Sequence, residues 1–190
     1  QFYLPTQTKD PFGNIYTSTY DRYHLMVIQT VDPLGNTIAI RSNYRTLQPE
    51  QITDPNRNRS EVRFDALGMV VATVVMGKEG ENQGDSFASF QEDMTRDEIK
   101  AFFDADNPRS LALDRLGTAT TRIIYDLDRF KDSGKPVCAA AIARETHVSD
   151  LGTNQPTKVH LSFVYSDGFG REAQTKVQAE PGPLDPGVPN

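Results

Sequence analysis

The segment Asp10-Pro11-Phe12-Gly13-Asn14 is a turn signal, and two similar segments follow it along the chain. They are Asp32-Pro33-Leu34-Gly35-Asn36 and Asp54-Pro55-Asn56-Arg57-Asn58, so the first residues are 10, 32 and 54 and the period is 22 residues. In such a turn the Asp side chain caps the backbone, Pro fixes φ, Gly takes a positive φ, and Asn tolerates the left-handed region. Turn signals at a constant period indicate a repeat architecture.

The third copy departs from this pattern, because Arg57 stands where the first two copies have Gly13 and Gly35. We therefore expect the geometry of the third turn to differ. An aromatic residue followed by Asp occurs within the first and third units, as Tyr20-Asp21 and Phe64-Asp65. The second unit has Tyr44 near this place and no Asp after it.

The segments between the turns have the composition of β-strands. They are rich in β-branched and aromatic residues or alternate polar and apolar side chains, as half-buried strands do. The segments that fit best are residues 15–20, 26–31, 37–40, 61–64 and 69–76. Each 22-residue unit is therefore predicted to be two strands joined by tight turns.

The pattern changes after residue 76. Residues 77–84 read as a polar loop, and Thr95 with Glu98 forms a capping box that begins a helix. Helical spacing of apolar residues continues to about residue 116, with Pro108 as an interruption and Gly117 as the stop. Strand-like segments resume at 120–126, 139–148, 158–165 and 173–179.

The sequence thus predicts a mainly β fold of antiparallel hairpins with a small helical insertion near 95–116. We divide the chain into repeat hairpins (1–76), a loop and helical insertion (77–119), further strands (120–179) and a Pro/Gly-rich tail or linker (180–190). Unpaired strands at the two edges of such a sheet would favour self-association.

Composition excludes several classes of function. The net charge of −6 disfavours binding to nucleic acid, and no apolar run is long enough to span a membrane. The single cysteine, Cys138, excludes an internal disulfide and a cysteine-rich zinc site, and its small apolar neighbours predict an inert thiol.

No catalytic or metal-binding motif is evident. His24, His147 and His160 do not stand at metal-ligand spacing, and no nucleophile elbow of the form Gly-x-Ser-x-Gly occurs. Gly168-Phe169-Gly170 lacks the rest of a phosphate-binding loop. We therefore predict no catalytic residue, no metal site and no cofactor.

Four segments carry a resemblance to a known family. Tyr20-Asp21, Phe64-Asp65-Ala66-Leu67-Gly68, Tyr125-Asp126 and Tyr165-Ser166-Asp167-Gly168-Phe169-Gly170-Arg171-Glu172 resemble the YD repeats of the RHS family. Their order around the helical insertion resembles the C-terminal part of the B component of bacterial insecticidal toxin complexes (Tc toxins), and this resemblance covers nearly the whole chain.

The resemblance implies a structural segment of a β-shell that encapsulates a toxic polypeptide and helps to deliver it, without catalysis. The implied partners are other parts of the same large protein, the C component with its enclosed toxic region and, indirectly, the pore of the A component. It implies no nucleic-acid partner, no membrane span, and a location that is secreted or on the bacterial cell surface.

Two other functions stay open on the sequence. The chain could be a protein- or glycan-binding β module of a secreted or surface RHS protein. It could also be an enzyme whose site assembles only in three dimensions, in which case a deep pocket with convergent polar groups is expected.

Overall fold

One antiparallel sheet organises the chain, and its strands lie side by side in sequence order. The structure is a computed structural model that describes residues 3–88, 90–152 and 155–179; the predicted tail at 180–190 lies outside these ranges. The strands are β1 (Gln7–Lys9), β2 (Ile15–Tyr20), β3 (Val27–Val31), β4 (Thr37–Asn43), β5 (Gln48–Thr53), β6 (Arg59–Phe64), β7 (Val70–Met76), β8 (Thr121–Asp126), β9 (Cys138–Arg144), β10 (Val159–Ser166) and β11 (Glu172–Val177). The predicted mainly β, antiparallel fold is confirmed.

The helical insertion lies between β7 and β8. It contains α1 (Arg96–Asp104) and α2 (Arg109–Leu116), and the Thr95 side chain caps α1 while Glu98 closes the reciprocal bond of the capping box. A further short helix, α3 (Arg129–Ser133), follows β8 and was not predicted. Within the described ranges, no helix is long and apolar enough to cross a bilayer.

The Asp-Pro turns close by bonds within five residues. In the first turn the backbone N–H of Asp10 donates to Asn14 O at 3.0 Å, and Gly13 N–H donates to Asp10 O at 3.0 Å. The Asp10 carboxylate then accepts from the N–H groups of Phe12 and Asn14, both at 2.9 Å. Each of these bonds is local, so the turn needs no partner elsewhere in the protein.

The Asn at the end of each Asp-Pro turn has a different role from the one expected. Asn14, Asn36 and Asn58 are not among the described residues with positive φ. Instead their side-chain amides donate to the second oxygen of the turn's own Asp, at 2.8, 2.7 and 3.0 Å. Asn is therefore used for its amide donor and not for left-handed backbone.

The third turn has the same geometry as the first two, so the expected difference at Arg57 was wrong. Arg57 has φ of 70°, Gly13 has 93° and Gly35 has 84°. Asp54 N–H donates to Asn58 O and Arg57 N–H donates to Asp54 O, both at 2.9 Å. The local bonds around Asp54 hold an Arg in a region that normally favours Gly.

The structural repeat is one strand and one turn, which is half the period seen in the sequence. Turns begin at Asp10, Asp21, Asp32, Asn43, Asp54 and Asp65, with eleven residues from each to the next. Because the chain reverses at every turn, Asp-Pro turns lie at one end of the strands and aromatic-Asp turns at the other. The aromatic-Asp end also has the four irregularities of register that occur among the described residues, next to Tyr20, Ser42, Phe64 and Ser166.

The core lies where the insertion packs on one face of β7 to β10. Ala72, Ile124 and Ile142 from the strands join Phe102 and Leu116 from the helices, and all are at most 2% exposed. The predicted strand at 139–148 is shorter than expected and ends at Arg144, because residues 148–150 form a 3-10 helical turn.

A glycine at positive φ should be costly to replace even where there is room. No atom lies within 4 Å of a Cβ added at Gly35, so the cost of Gly35→Val comes from the backbone alone. We expect a loss of roughly 1–3 kcal/mol in the free energy of unfolding, measured by urea denaturation. Gly35→Asn should cost clearly less, since Asn tolerates left-handed backbone; equal losses would contradict this explanation.

Candidate functional site: a sheet with one uncharged face

The residues singled out in the sequence lie along two opposite ends of the strands and do not converge on one point. We call the turns at 10–14, 32–36 and 54–58 the Asp-Pro rim. We call the turns at 21–25, 43–47 and 65–68 the aromatic-Asp rim. Pro11, Pro33 and Pro55 occupy the second position of the three Asp-Pro turns.

The two residues of the aromatic-Asp motif have different roles, and the Asp forms the turn. Asp21, Asp65 and Asp167 each begin a turn and accept backbone N–H bonds, for example from Met69 to Asp65 at 2.8 Å. The turns after Asp65 and Asp167 place Gly68, Gly168 and Gly170 at positive φ, and Arg171 binds back to the Asp167 carboxylate at 2.7 Å. Asp126 differs, because it pairs with Arg129 at 3.1 Å.

The aromatic residues of the motif connect strands and segments. The hydroxyl of Tyr20 donates to Pro5 O at 3.1 Å, and that of Tyr125 donates to Val70 O at 2.9 Å. Phe64 is buried, and Tyr165 lies under the ammonium group of Lys176. Burial, followed by the charge of Asp65, raises the pKa of Tyr125, so its hydroxyl keeps its proton as a donor.

Neighbouring turns of the aromatic-Asp rim are tied to each other, which the sequence did not reveal. Tyr44 donates its hydroxyl to the buried Asp21 at 2.7 Å, and this bond is the main cause of the lowered pKa of Asp21. Arg45 reaches the next turn and donates to the carbonyls of Asp65 and Ala66 at 2.7 and 3.0 Å. The sequence did contain a signal for the turn at residue 43, because Asn43 lies eleven residues from Asp32 and from Asp54.

Arginines hold the insertion on the sheet through its backbone carbonyls. Arg144 donates to Ala119 O at 2.7 Å and to Gly117 O at 2.5 Å. Arg122 donates to Arg115 O and Gln91 O, both at 3.1 Å. Arg122 and Arg144 are themselves buried, so these carbonyl dipoles replace the water that their charges have lost.

A buried carboxylate joins three segments at the beginning of the insertion. The side chain of Asp85 is fully buried and accepts from the Thr120 hydroxyl (2.6 Å), the Val148 N–H (2.8 Å) and the His147 ring (2.7 Å). Arg144 lies 3.5 Å from it. Burial by itself raises the pKa of Asp85, but the three hydrogen bonds and the Arg144 charge outweigh it and hold the pKa below its ordinary value.

Charged side chains cover the part of the helix-bearing face that the insertion leaves uncovered. Arg63 pairs with Glu50 at 3.1 Å and with Glu61 at 2.8 Å, and Arg41 pairs with the same two carboxylates at 3.4 and 3.3 Å. These residues lie on adjacent strands β4, β5 and β6, so the pairs form a network across the sheet.

On the Asp-Pro side of the register irregularities, the opposite face of the sheet has no formally charged strand residue. Beyond the irregularity at Ser166, Glu172 of β11 lies on this side, opposite Ser166 and hydrogen-bonded by the Thr175 hydroxyl. Because cross-strand partners point to the same side, the registers determine which side chains share that face. They are Thr8, Tyr16, Ser18, Thr30, Ile38, Ile40, Ile52, Ser60, Val62, Thr73, Val75, Thr121, Ile123, Tyr125, Ala139, Ala141, Ala143, His160, Ser162, Val164, Thr175 and Val177. We call this the uncharged face; Asp, Glu, Lys and Arg are 24% of the chain but absent from this set.

Apolar side chains on the uncharged face are accessible to solvent. Tyr16, Ile38, Ile52, Val75 and Val164 are between 37% and 46% exposed. The helices of the insertion pack on the other side, against the core. The uncharged face is therefore a broad surface of aliphatic, small and hydroxyl side chains across the sheet.

An open groove of about 510 Å³ lies between α1, α3 and the end of β8. Several of its charged residues pair with each other: Arg96 pairs with Asp128 and Asp132, and Arg129 pairs with Asp126. Among residues 3–88, 90–152 and 155–179 no group of three His, Cys, Asp or Glu could hold a metal ion. Burial raises the pKa of the Cys138 thiol to about 11, so it is a poor nucleophile at neutral pH.

Comparison with solved structures relates this sheet to a known protein. The chain matches a crystal structure of TcdB2-TccC3 with a TM-score of 0.68 and 25% identity, over 85% of this chain and 7% of that chain. The fold is Tc-toxin-like. Crystal structures of TcdB2-TccC3-Cdc42 and TcdB2-TccC3-TEV match with TM-scores of 0.66 and 0.64 at 20% and 18% identity, over 88% and 86% of this chain and 10% of each of those chains.

The Tc-toxin-like sheet is short in comparison with these proteins, since it spans a tenth or less of the length of each matched chain. No family model and no curated protein matches the sequence.

Asp85 should make the stability of the Tc-toxin-like sheet depend on pH. Its depressed pKa means that its contribution is present above about pH 4, the pKa of an unfolded Asp, and is lost as the pH falls through the folded pKa. Asp85→Asn should therefore cost roughly 2–4 kcal/mol at pH 7. The difference from the unsubstituted protein should shrink at acidic pH in urea titrations.

The control is Asp114→Asn, an exposed change on α2 that should alter stability by less than about 0.5 kcal/mol at every pH. A difference between Asp85→Asn and the unsubstituted protein that stayed constant down to acidic pH would contradict the assignment.

Proposed function

We propose that this chain is a wall segment of the β-shell of an RHS-repeat insecticidal toxin complex protein, corresponding to the C-terminal part of a B component. In this function it encloses a toxic polypeptide, helps to deliver it, and performs no catalysis. The observation that carries the proposal is the uncharged face, which extends across the strands while the charged strand residues, apart from Glu172 at the end of β11, lie on the other face.

An uncharged face suits contact with an unfolded polypeptide of varied sequence. Such a chain exposes apolar side chains, which gain free energy by leaving water, and polar backbone groups, which still need hydrogen-bond partners. Aliphatic residues such as Ile38 and Ile52 supply the first kind of contact, and hydroxyls such as Thr30 and Ser60 supply the second. Fixed charges would select for or against particular cargo residues and hold them in place.

The likeness to TcdB2-TccC3 supports a place within a toxin complex. The partners in this proposal are other parts of the same large protein, the C component with its enclosed toxic region and, indirectly, the pore of the A component. The location is secreted or on the bacterial cell surface. The ion pairs of Arg96 and Arg129 in the groove between α1 and α3 support a passive wall.

A second candidate is a protein- or glycan-binding β module, and one observation favours it. Tyr23 and Tyr44 are about half exposed at the aromatic-Asp rim, with ring centroids 5.8 Å apart, and Arg22 lies 4.5 Å from the Tyr23 centroid. Exposed aromatic rings of this kind can stack on sugars or anchor a protein. Binding on a glycan array that Tyr23→Ala abolishes would favour this candidate over the shell wall.

The shell-wall proposal is tested by adding charge to one face at a time. In the parent protein co-expressed with its C component, Ile38→Asp combined with Ile52→Asp would place two carboxylates on the uncharged face. Both positions are about 40% exposed, so the sheet should still fold. We expect less of the enclosed polypeptide to be retained, measured as the fraction protected from added protease.

Ala39→Asp is the matched control, because residue 39 is exposed on the same strand as Ile38 and points to the other face. It should leave protection unchanged. Equal protection in all three proteins, with unchanged thermal melting, would contradict the proposal.

A further inference from the structure

The tips of the turns carry large apolar side chains that are highly exposed. On the Asp-Pro rim, Phe12 and Leu34 are 92% and 87% exposed. On the aromatic-Asp rim, Leu47 and Leu67 are 64% and 73% exposed. Single exposed apolar residues are ordinary on protein surfaces, but rows of them mark a contact surface.

The two rows have the same spacing. Adjacent turns on either rim are separated by two strands, which corresponds to roughly 9.5 Å at the usual distance between strands. The rows lie at opposite ends of the same strands. A second copy placed end to end would therefore bring one row against the other in matching steps, without any change of shape.

The tips are also held rigidly, which lowers the cost of ordering them in a contact. Leu34 lies inside a turn whose Asp32 carboxylate accepts from the N–H groups of Leu34 and Asn36 at 2.9 and 2.8 Å. Leu67 lies in a turn held by Asp65 on one side and by Arg45 and Asp93 on the other. Preorganised side chains lose little freedom on binding.

The charges of the two rims are unlike. The Asp-Pro rim has three half-buried carboxylates, Asp10, Asp32 and Asp54, and the exposed Arg57. The aromatic-Asp rim has two exposed arginines, Arg22 and Arg45, with the half-buried carboxylate of Asp65 and the buried one of Asp21. Contact between unlike rims thus brings Arg22 toward carboxylates, whereas two Asp-Pro rims would bring carboxylates toward each other.

We propose that the Asp-Pro rim of one copy of this sheet packs against the aromatic-Asp rim of a second copy, with the turn tips in contact. The contact is head-to-tail, so each copy keeps one unused rim and further copies can add. It involves the ends of the strands and neither the uncharged face nor an edge strand, so it goes beyond the proposed function and can fail independently of it.

The experiment uses one double variant for each rim. The first is Phe12→Asp with Leu34→Asp, and the second is Leu47→Asp with Leu67→Asp. Each should weaken self-association of the chain by at least about tenfold in sedimentation velocity over a concentration series, because a carboxylate replaces an apolar contact at two adjacent turns. Circular dichroism should be unchanged, since all four side chains are mostly exposed.

Mixing the two double variants distinguishes head-to-tail contact from every symmetric alternative. Each variant retains the rim that the other lacks, so an equimolar mixture should form a heterodimer and stop there. Contact between identical rims would leave one variant still self-associating. That result, or a mixture that stays monomeric, would overturn the proposal, as would an unsubstituted chain that is monomeric at every concentration.

Two single variants serve as controls for other surfaces. Val177→Asp changes the uncharged face at the exposed edge strand β11, and Ile38→Asp changes the same face within the sheet. Both should associate as the unsubstituted chain does. Loss of association in either control, with the rim variants unaffected, would assign self-association to that surface and refute rim contact.

Discussion

The side-chain oxygen at the beginning of each turn, a carboxylate in five turns and the Asn43 amide in the sixth, makes the interaction on which the rest of the sheet depends. It accepts backbone N–H groups from the next few residues, so the chain reverses at a place that the local sequence decides. Reversal every eleven residues then gives strands of similar length and a register without crossovers. The rims, the two faces and the position of the insertion all follow from this spacing.

The insertion is held in a way that its sequence does not suggest. A helical hairpin on a sheet is ordinarily fixed by apolar packing, and Phe102 and Leu116 provide that. Here buried arginines on β8 and β9 also bind carbonyls at the ends of the inserted segment. Losing such a partner would leave a buried charge unsatisfied, so these bonds penalise any other placement of the insertion.

Local signals in the sequence predicted the fold well, but they could not predict contacts between residues that are far apart in the chain. The Asp-Pro turns, the β-branched strands and the Thr95 capping box each depend on a few adjacent residues. Strand β5 was missed because Gln48-Pro49-Glu50 has poor strand propensity; neighbours on both sides hold it in the sheet. The prediction at Arg57 was wrong because the hydrogen bonds of the Asp54 turn override the intrinsic backbone preference of an Arg.

Less of the candidate site could be predicted. The uncharged face needs the register of every strand, and the irregularities beside Tyr20, Ser42 and Phe64 shift the alternation of side chains within strands. The hydroxyl bond from Tyr44 to Asp21 and the burial of Asp85 join residues far apart in the chain. No spacing rule in one sequence identifies such pairs.

The eleven-residue module also governs how a sheet of this kind can change length during evolution. Duplication or loss of 22 residues adds or removes one complete hairpin, and every later strand keeps its direction and its turns keep their rim. A change of eleven residues reverses the direction of every later strand and moves each later turn to the opposite rim. Tandem duplication is thus tolerated only for an even number of eleven-residue modules, and the circumference of such a wall grows by two strands at a time.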